Sequence, residues 1–280
     1  MAKSTNSEKP IMFWTSKDLA SYNIEVHLQS AEEFLGHIPN TLPRAIKPGF
    51  LTYKFPSGPP QLLLFDEEEP MSSISNNSLL LSLYIAGQPD RNQNSAIQDF
   101  ECVFLSAIGF QEQTNIFLPR YSISFFCGEK EHTVILDLCL LQWRSKSNIT
   151  VLLIVESGVP HIGIDNLEGR VIAKSVAAFQ YNNRIRVENG LDPLDRMTFP
   201  AIVNIGTLPV FYKIPVTRQL EHSVTNALHH PTDKTEVLKY MIGTPTLNEG
   251  MEVPGFRREI LQNLEAFRKV AKECYQCFVI

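Results

Sequence analysis

Two acids in this chain sit where an acid is costly. Asp137 lies inside the apolar run TVILDLCLLQ, and Glu156 closes the run ITVLLIVES, nineteen positions later. A buried carboxylate needs a counter-charge, a proton or a metal to offset its lost hydration. Two carboxylates on neighbouring strands, helped by a backbone carbonyl, form a donor set for Mg²⁺, a hard cation that prefers oxygen. Such an ion neutralises charge developing on a phosphodiester and activates the attacking water. A lysine two residues after the second acid would orient that water. Here Ser157 and Gly158 follow Glu156, so the lysine is missing.

The acids need strands and helices to position them. Residues 94 to 109 carry Ile97, Phe100, Val103, Phe104 and Ala107 or Ile108 at helical spacing, with Gly109 as a stop. YSISFFCGEKEHTVILDLCLLQW reads as a hairpin turning at residues 128 to 131. ITVLLIVES is a near-continuous apolar run, the pattern of a strand covered on both faces. A helix follows from Asn166 to Arg186, then strands AIVNIG and VFYKIPV, a helix from Arg218 to Leu228, and a last helix from about Arg257 past Cys274. That order predicts an α/β fold, a mixed sheet flanked by helices. Near the start, FWTSKDLASYNIEV predicts a short capped helix and a strand. Residues 36 to 62 read as irregular surface, and 66 to 69 as a solvated acidic loop.

The domain reading is a disordered start over residues 1–10 and one domain over 11–280. Within it, 11–93 is an N-terminal elaboration, 94–216 the α/β core, and 217–280 a C-terminal helical part.

The element order resembles the PD-(D/E)XK superfamily, with its restriction-endonuclease-like fold. More specifically, AIQDFECVFLSAIGF, FFCGEKEHTVILDLCLLQ, LLIVES, VIAKSVAAFQYNNRIR, IGTLPVFYKIPVT and EILQNLEAFRKVA resemble a large uncharacterised family of fungal proteins with such a core. The resemblance covers most of residues 95 to 270. In that family the second strand ends in a run like V-Q-E-D-K, whereas this chain reads Val155-Glu156-Ser157-Gly158-Val159. With Val155 in register, Ser157 replaces the acid and Val159 the lysine. With Glu156 taken as the acid, Gly158 replaces the lysine. Asp137 alone carries over cleanly, matching a T-D-V-C-I strand. The family's helix reads P-E-x-Q-L-I-A-E, which puts Arg170 where Gln is usual and Lys174 where Glu is usual. The resemblance therefore implies a pseudo-nuclease that binds nucleic acid or a protein partner and uses no cofactor. The alternative is an active nuclease in which Asp137 and Glu156 hold Mg²⁺ and Lys174 serves as a relocated lysine.

Other residues offer other chemistry. Arg170, Gln180, Asn183, Arg184 and Arg186 are candidate binding residues, the last four in the segment FQYNNRIR. The ending Cys277-Phe278-Val279-Ile280 has the outline of a prenylation box, which gives a third reading, a membrane-associated adaptor lipidated at Cys277. His222, His229, His230 and Asp233 cluster in sequence without the spacing of a zinc site. Neither G-x-x-x-x-G-K nor G-x-G-x-x-G occurs.

Composition bounds the rest. The chain has 280 residues, 44% of them hydrophobic, enough for one substantial core. A formal net charge of −5 gives no overall field for nucleic acid or an anionic membrane. MAKSTNSEKP lacks the apolar stretch of a secretory signal and no apolar run reaches a membrane span, so the expected location is intracellular, in cytoplasm or nucleus. Five cysteines in a long chain fit reduced thiols. Ligand, pathway and oligomeric state stay open at this level.

Overall fold

A strand apolar on both faces must be covered on both faces, and β4 (Asn148–Gly158) is the centre of this fold. Val151 to Val155 are wholly buried. The computed structural model describes residues 14–55, 76–88, 94–112, 114–128, 130–145, 148–159, 164–243 and 249–276. Besides β4, the sheet contains β1 (Ile24–Leu28), β2 (Asn115–Cys127), β3 (Lys130–Ser145), β5 (Arg196–Ile205), β6 (Leu208–Thr217) and β7 (Thr235–Met241). These make one seven-stranded mixed sheet in the order β1-β7-β6-β5-β4-β3-β2. The pairs β4–β5 and β1–β7 are parallel and the others antiparallel.

Alternation along the strands separates the two helical layers. On β6, Phe211 packs on Phe267 of α8 (Pro254–Gln276), while its neighbour Tyr212 donates to Glu168 of α6 (Ile164–Glu188). On β7, Tyr240 donates to Asn263 of α8, while Lys239 pairs with Glu168. Helix α6 thus covers one face, joined by α1 (Ser16–Ser21) and α7 (Arg218–Thr225). The opposite face carries α8 and α5 (Asn94–Ala107), buttressed by α2 (Ala31–Leu35), α3 (Pro48–Thr52) and α4 (Asn76–Ala86). A mixed sheet flanked by helices, with a C-terminal helix packed on it, agrees with the expected α/β class.

Several details depart from the sequence reading. The stretch read as irregular from residue 36 contains α3, which starts on Pro48 at its first turn and buries Phe50. The C-terminal part is not all helical, because β7 lies within it. TEVLKYM alternates weakly, and Glu236 and Lys239 interrupt its three buried positions, Thr235, Val237 and Tyr240. The segment before residue 93 supplies β1, an edge strand of the main sheet. The expected disorder of residues 1–10 and the acidic run at 66–69 lie outside the described residues.

One glycine fixes how closely the first helix lies on α6. A Cβ at Gly169 would stand 2.1 Å from the carbonyl oxygen of Trp14, a backbone atom that cannot swing aside. Helix propensity alone favours Gly169→Ala by about 1 kcal/mol. The close approach reverses that sign. The expected result is a loss of about 1–3 kcal/mol in urea unfolding, typical of overpacking. A stabilised variant would show that the contact yields freely.

Candidate functional site: a charge cluster at the end of β4

Strands β3 and β4 pair antiparallel, with Leu138 opposite Val155 and Cys139 opposite Ile154. One rung further in that register, Asp137 faces Glu156. Glu156 also stands beside Val203 of β5, so the acid lies between two strands and is fully buried. Both side chains meet α6. Lys174 Nζ donates to Glu156 Oε2 at 2.5 Å and to Asp137 Oδ1 at 3.1 Å. Arg170, one turn earlier, places Nη2 at 2.6 Å from Glu156 Oε1 and 3.8 Å from Asp137 Oδ2. The backbone N–H of Ser157 donates to Asp137 Oδ2 at 3.2 Å. Side-chain exposure falls from 24% at Arg170 and 14% at Asp137 to 1% at Lys174 and nil at Glu156. The cluster has a sealed inner end and an outer end in reach of water.

Every carboxylate oxygen here therefore faces a cation or an N–H group. As arranged, the donor set does not fit a divalent ion, which would have to share the space with two positive side chains. Among the described residues, no group of three His, Cys, Asp or Glu is arranged to hold a metal.

On the opposite face the same strand end meets a third acid, Glu101 of α5, that sequence reading missed. Ser157 stands opposite Asn204 of β5. Both donate to Glu101 of α5, Ser157 Oγ at 2.6 Å and Asn204 Nδ2 at 2.7 Å. Since Ser157 also donates to Asp137, one polar network runs through the sheet from Asn204 to Arg170. The signal for Glu101 was present in the sequence. It lies four residues after Ile97 and beside Phe100, inside the apolar stripe of its helix.

Burial pushes the Glu101 carboxyl well above its ordinary range, against the pull of Ser157 and Asn204. Burial likewise pushes Glu156 up to about 7, with Lys174 and Arg170 opposing it and Asp137 adding to it. Both groups hold a proton more tightly in the fold than in the unfolded chain. Their contribution to stability is thus full below the ordinary value of 4.5 and is lost as pH rises through the folded values, about 7 for Glu156. Glu101→Gln mimics the protonated acid and keeps both partners, with the Ser157 hydroxyl turned to accept. Its melting temperature is expected to match wild type near pH 5 and to exceed it increasingly toward pH 8, on the sign just given. A constant difference across that range would remove Glu101 from the account.

The missing lysine has no room to return. A Cβ on Gly158 would lie 2.5 Å from Leu167 Cδ1, and Leu167 is wholly buried. Val159, the lysine position in the other register, is buried as well.

The remaining sequence candidates are placed as follows. The Gln180 amide pairs with the backbone of Phe126, accepting from its N–H at 2.7 Å and donating to its carbonyl at 3.0 Å. Asn183 pairs with Leu194 in the same two-bond manner, at 2.7 and 3.1 Å. Arg186 donates to the Asp192 carbonyl. Arg184 lies over the Tyr181 ring and 3.9 Å from Glu188. Gln180, Asn183 and Arg184 line a surface groove of about 380 Å³ with Phe126 and Arg218. His222 of α7 bonds to Asn226, the residue that caps the helix end, and the His229 ring lies 5.1 Å from that of Tyr22. Cys277 lies outside the described residues.

No family model matches this chain, and no curated protein matches it either. Among the described residues no helix is long and apolar enough to cross a membrane.

Proposed function

We propose that this chain is a non-catalytic, metal-independent derivative of a PD-(D/E)XK-type nuclease that acts as a binding module for nucleic acid or a protein partner. One observation carries the reading: Lys174 and Arg170 neutralise both acids. The run of α5, three strands, α6 and β5, paired antiparallel, antiparallel and parallel, supports the restriction-endonuclease-like core. The motif positions support the loss of activity. In one register the acid and lysine are Ser157, bonded to Glu101, and Val159, buried; in the other the lysine is Gly158, packed on Leu167. Charge balance favours a protein partner over nucleic acid. Arg184 and Arg218, the groove's two arginines, each have a carboxylate nearby, Glu188 and Asp195.

A second reading keeps the enzyme. Lys174 reaches both acids, as a relocated lysine would. Calorimetric titration of Mn²⁺ into the protein and into Asp137→Ala, with both incubated with single- and double-stranded DNA and RNA, separates the two. No heat and no cleavage are expected. Cleavage that disappears in Asp137→Ala would put the nuclease in place of the binding module. Fluorescence anisotropy with the same oligonucleotides then decides the ligand: binding without cleavage identifies nucleic acid, and silence leaves the protein partner.

A further inference from the structure

We infer that the outer edge of β2, between Tyr121 and Phe125, is a docking site for an extended acidic segment of a partner protein, which adds there as a further strand. The inference deepens the protein-partner reading above, on which it rests, by naming the surface and the kind of partner. Three observations carry it.

The first is an open stretch in an otherwise closed edge. Strand β2 is the last of the sheet, so no strand pairs with its outer side. Its ladder with β3 keeps one register from Tyr121–Leu136 to Cys127–Lys130. In such a ladder every second residue turns both backbone groups outward. Phe126 does so, because its N–H and carbonyl bond to the Gln180 amide. Ser124 and Ser122 must then turn theirs outward as well. Gly128, next in the other direction, donates to the Val224 carbonyl. Among the described residues nothing bonds to the outward groups of Ser122 or Ser124.

The second is what this stretch lacks. Folded proteins blunt exposed edges with proline, charge or a distorted strand. On one side Pro119 has no N–H and Arg120 turns to a φ of 55°. On the other side Gln180 caps the strand. Between these guards stand two serines, small and uncharged. An open row of N–H and carbonyl groups selects another backbone, in the manner of strand addition. Gln180 already imitates one rung of that missing strand.

The third is the groove beside the edge. Ser124 and Phe126 line it from β2, Arg184 from α6 and Arg218 from α7, around about 380 Å³, a volume within the range of ligand sites. Phe126 is 44% exposed and offers a diagonal contact to an apolar side chain set opposite Ser124. The groove's own acid, Glu221, accepts from Thr225. The carboxylates near the two arginines, Glu188 at 3.9 Å and Asp195 at 3.5 Å, are well exposed. Such solvated pairs are weak, and each exchanges readily for a carboxylate carried in on a partner strand.

The test uses the full chain and two capped peptides of about six residues, the usual length of a strand. One alternates valine with aspartate and the other valine with lysine. Binding and amide hydrogen exchange are followed by nuclear magnetic resonance. In the free chain the Ser122 and Ser124 amides are expected to exchange fast and Phe126 slowly. The acidic peptide should slow both serines roughly tenfold once it exceeds its dissociation constant about tenfold. The basic peptide should bind about fivefold more weakly, and Arg184→Gln should narrow that gap. Ser124→Pro deletes one outward N–H at an edge position that tolerates proline, and is expected to weaken the acidic peptide at least as much. Should Ser124→Pro not fold, Arg184→Gln and the exchange of the two serines decide alone. Peptides that leave Ser122 and Ser124 unprotected, or that bind alike whatever their charge, would overturn the inference. So would serines already protected in the free chain, by its own residues or, if protection grows with concentration, by a second copy. Oligonucleotide binding abolished by Arg184→Gln would assign the groove to nucleic acid and overturn it too. A silent edge leaves the metal-independent binding module standing, whereas Mn²⁺-dependent cleavage lost in Asp137→Ala would overturn that reading whatever the edge does.

Discussion

Lys174→Met is expected to cost about 3–5 kcal/mol of folding stability, the loss typical of removing one partner from a buried pair. The side chain bridges Glu156 and Asp137 from a fully enclosed position. Its removal leaves Glu156 buried with only Arg170 beside it, at 2.6 Å. Glu156→Gln alone is costly as well, because it leaves the enclosed ammonium with Asp137 as its one carboxylate, at 3.1 Å. The double variant, Lys174→Met with Glu156→Gln, removes charge from both sides. It is expected to recover much of the summed loss, so the two changes are strongly non-additive. Urea unfolding of the four proteins measures the coupling directly. Simple additivity would mean that the short Lys174–Glu156 contact contributes little and that Asp137 carries the lysine.

A loss of similar size is expected at Arg257, far from the acids. Its guanidinium is fully buried and donates to four backbone carbonyls, those of Met251, Phe50, Tyr53 and Glu252. The rings of Phe50 and Phe55 stack near it at 5.4 and 5.3 Å. Burial draws this group down to about 10, with Glu252 opposing, so it stays charged at neutral pH. Arg257→Met keeps much of the volume and strands the carbonyls. The expected cost is about 3–5 kcal/mol, since several buried acceptors lose their donor together. Arg257→Lys should recover little, because one ammonium cannot reach a fan of four acceptors. Denaturant unfolding gives the stability, and limited proteolysis shows whether residues 47–55 come loose first. A loss below about 1 kcal/mol would mean that water replaces the guanidinium at those carbonyls.

Much of the fold was legible because its signals are periodic. The apolar run of β4, the stripe of α5 and the stripe of α8 follow from spacing alone. The strand β7 was not legible, since charged residues interrupt it and one of its two partners, β1, comes from the far N-terminal part of the chain. The site divides similarly. Asp137 and Glu156 announce themselves as acids in apolar runs, and Lys174 and Arg170 follow once the helix packs on those strands. Asn204 had no such signal. Its role arises only when β5 lies beside β4 in the register that puts it opposite Ser157. The segment FQYNNRIR looked like a surface for ligands because amides and arginines are polar. Polarity alone does not distinguish an amide offered to solvent from one turned toward the protein's own backbone.

Three amides on α6, Gln180, Asn182 and Asn183, each clasp the backbone of one residue. They hold Phe126 on β2, Val151 on β4 and Leu194 ahead of β5. A helix gripped at three points along two different strands and a loop cannot slide by a turn or roll about its axis unless all three grips release together. Lys174 lies eight residues before Asn182, or roughly 12 Å along the same rod at 1.5 Å per residue. The depth to which the lysine and arginine reach toward the acids is therefore gauged from the far end of the helix. Those amides act as the stop against which the charged end is registered.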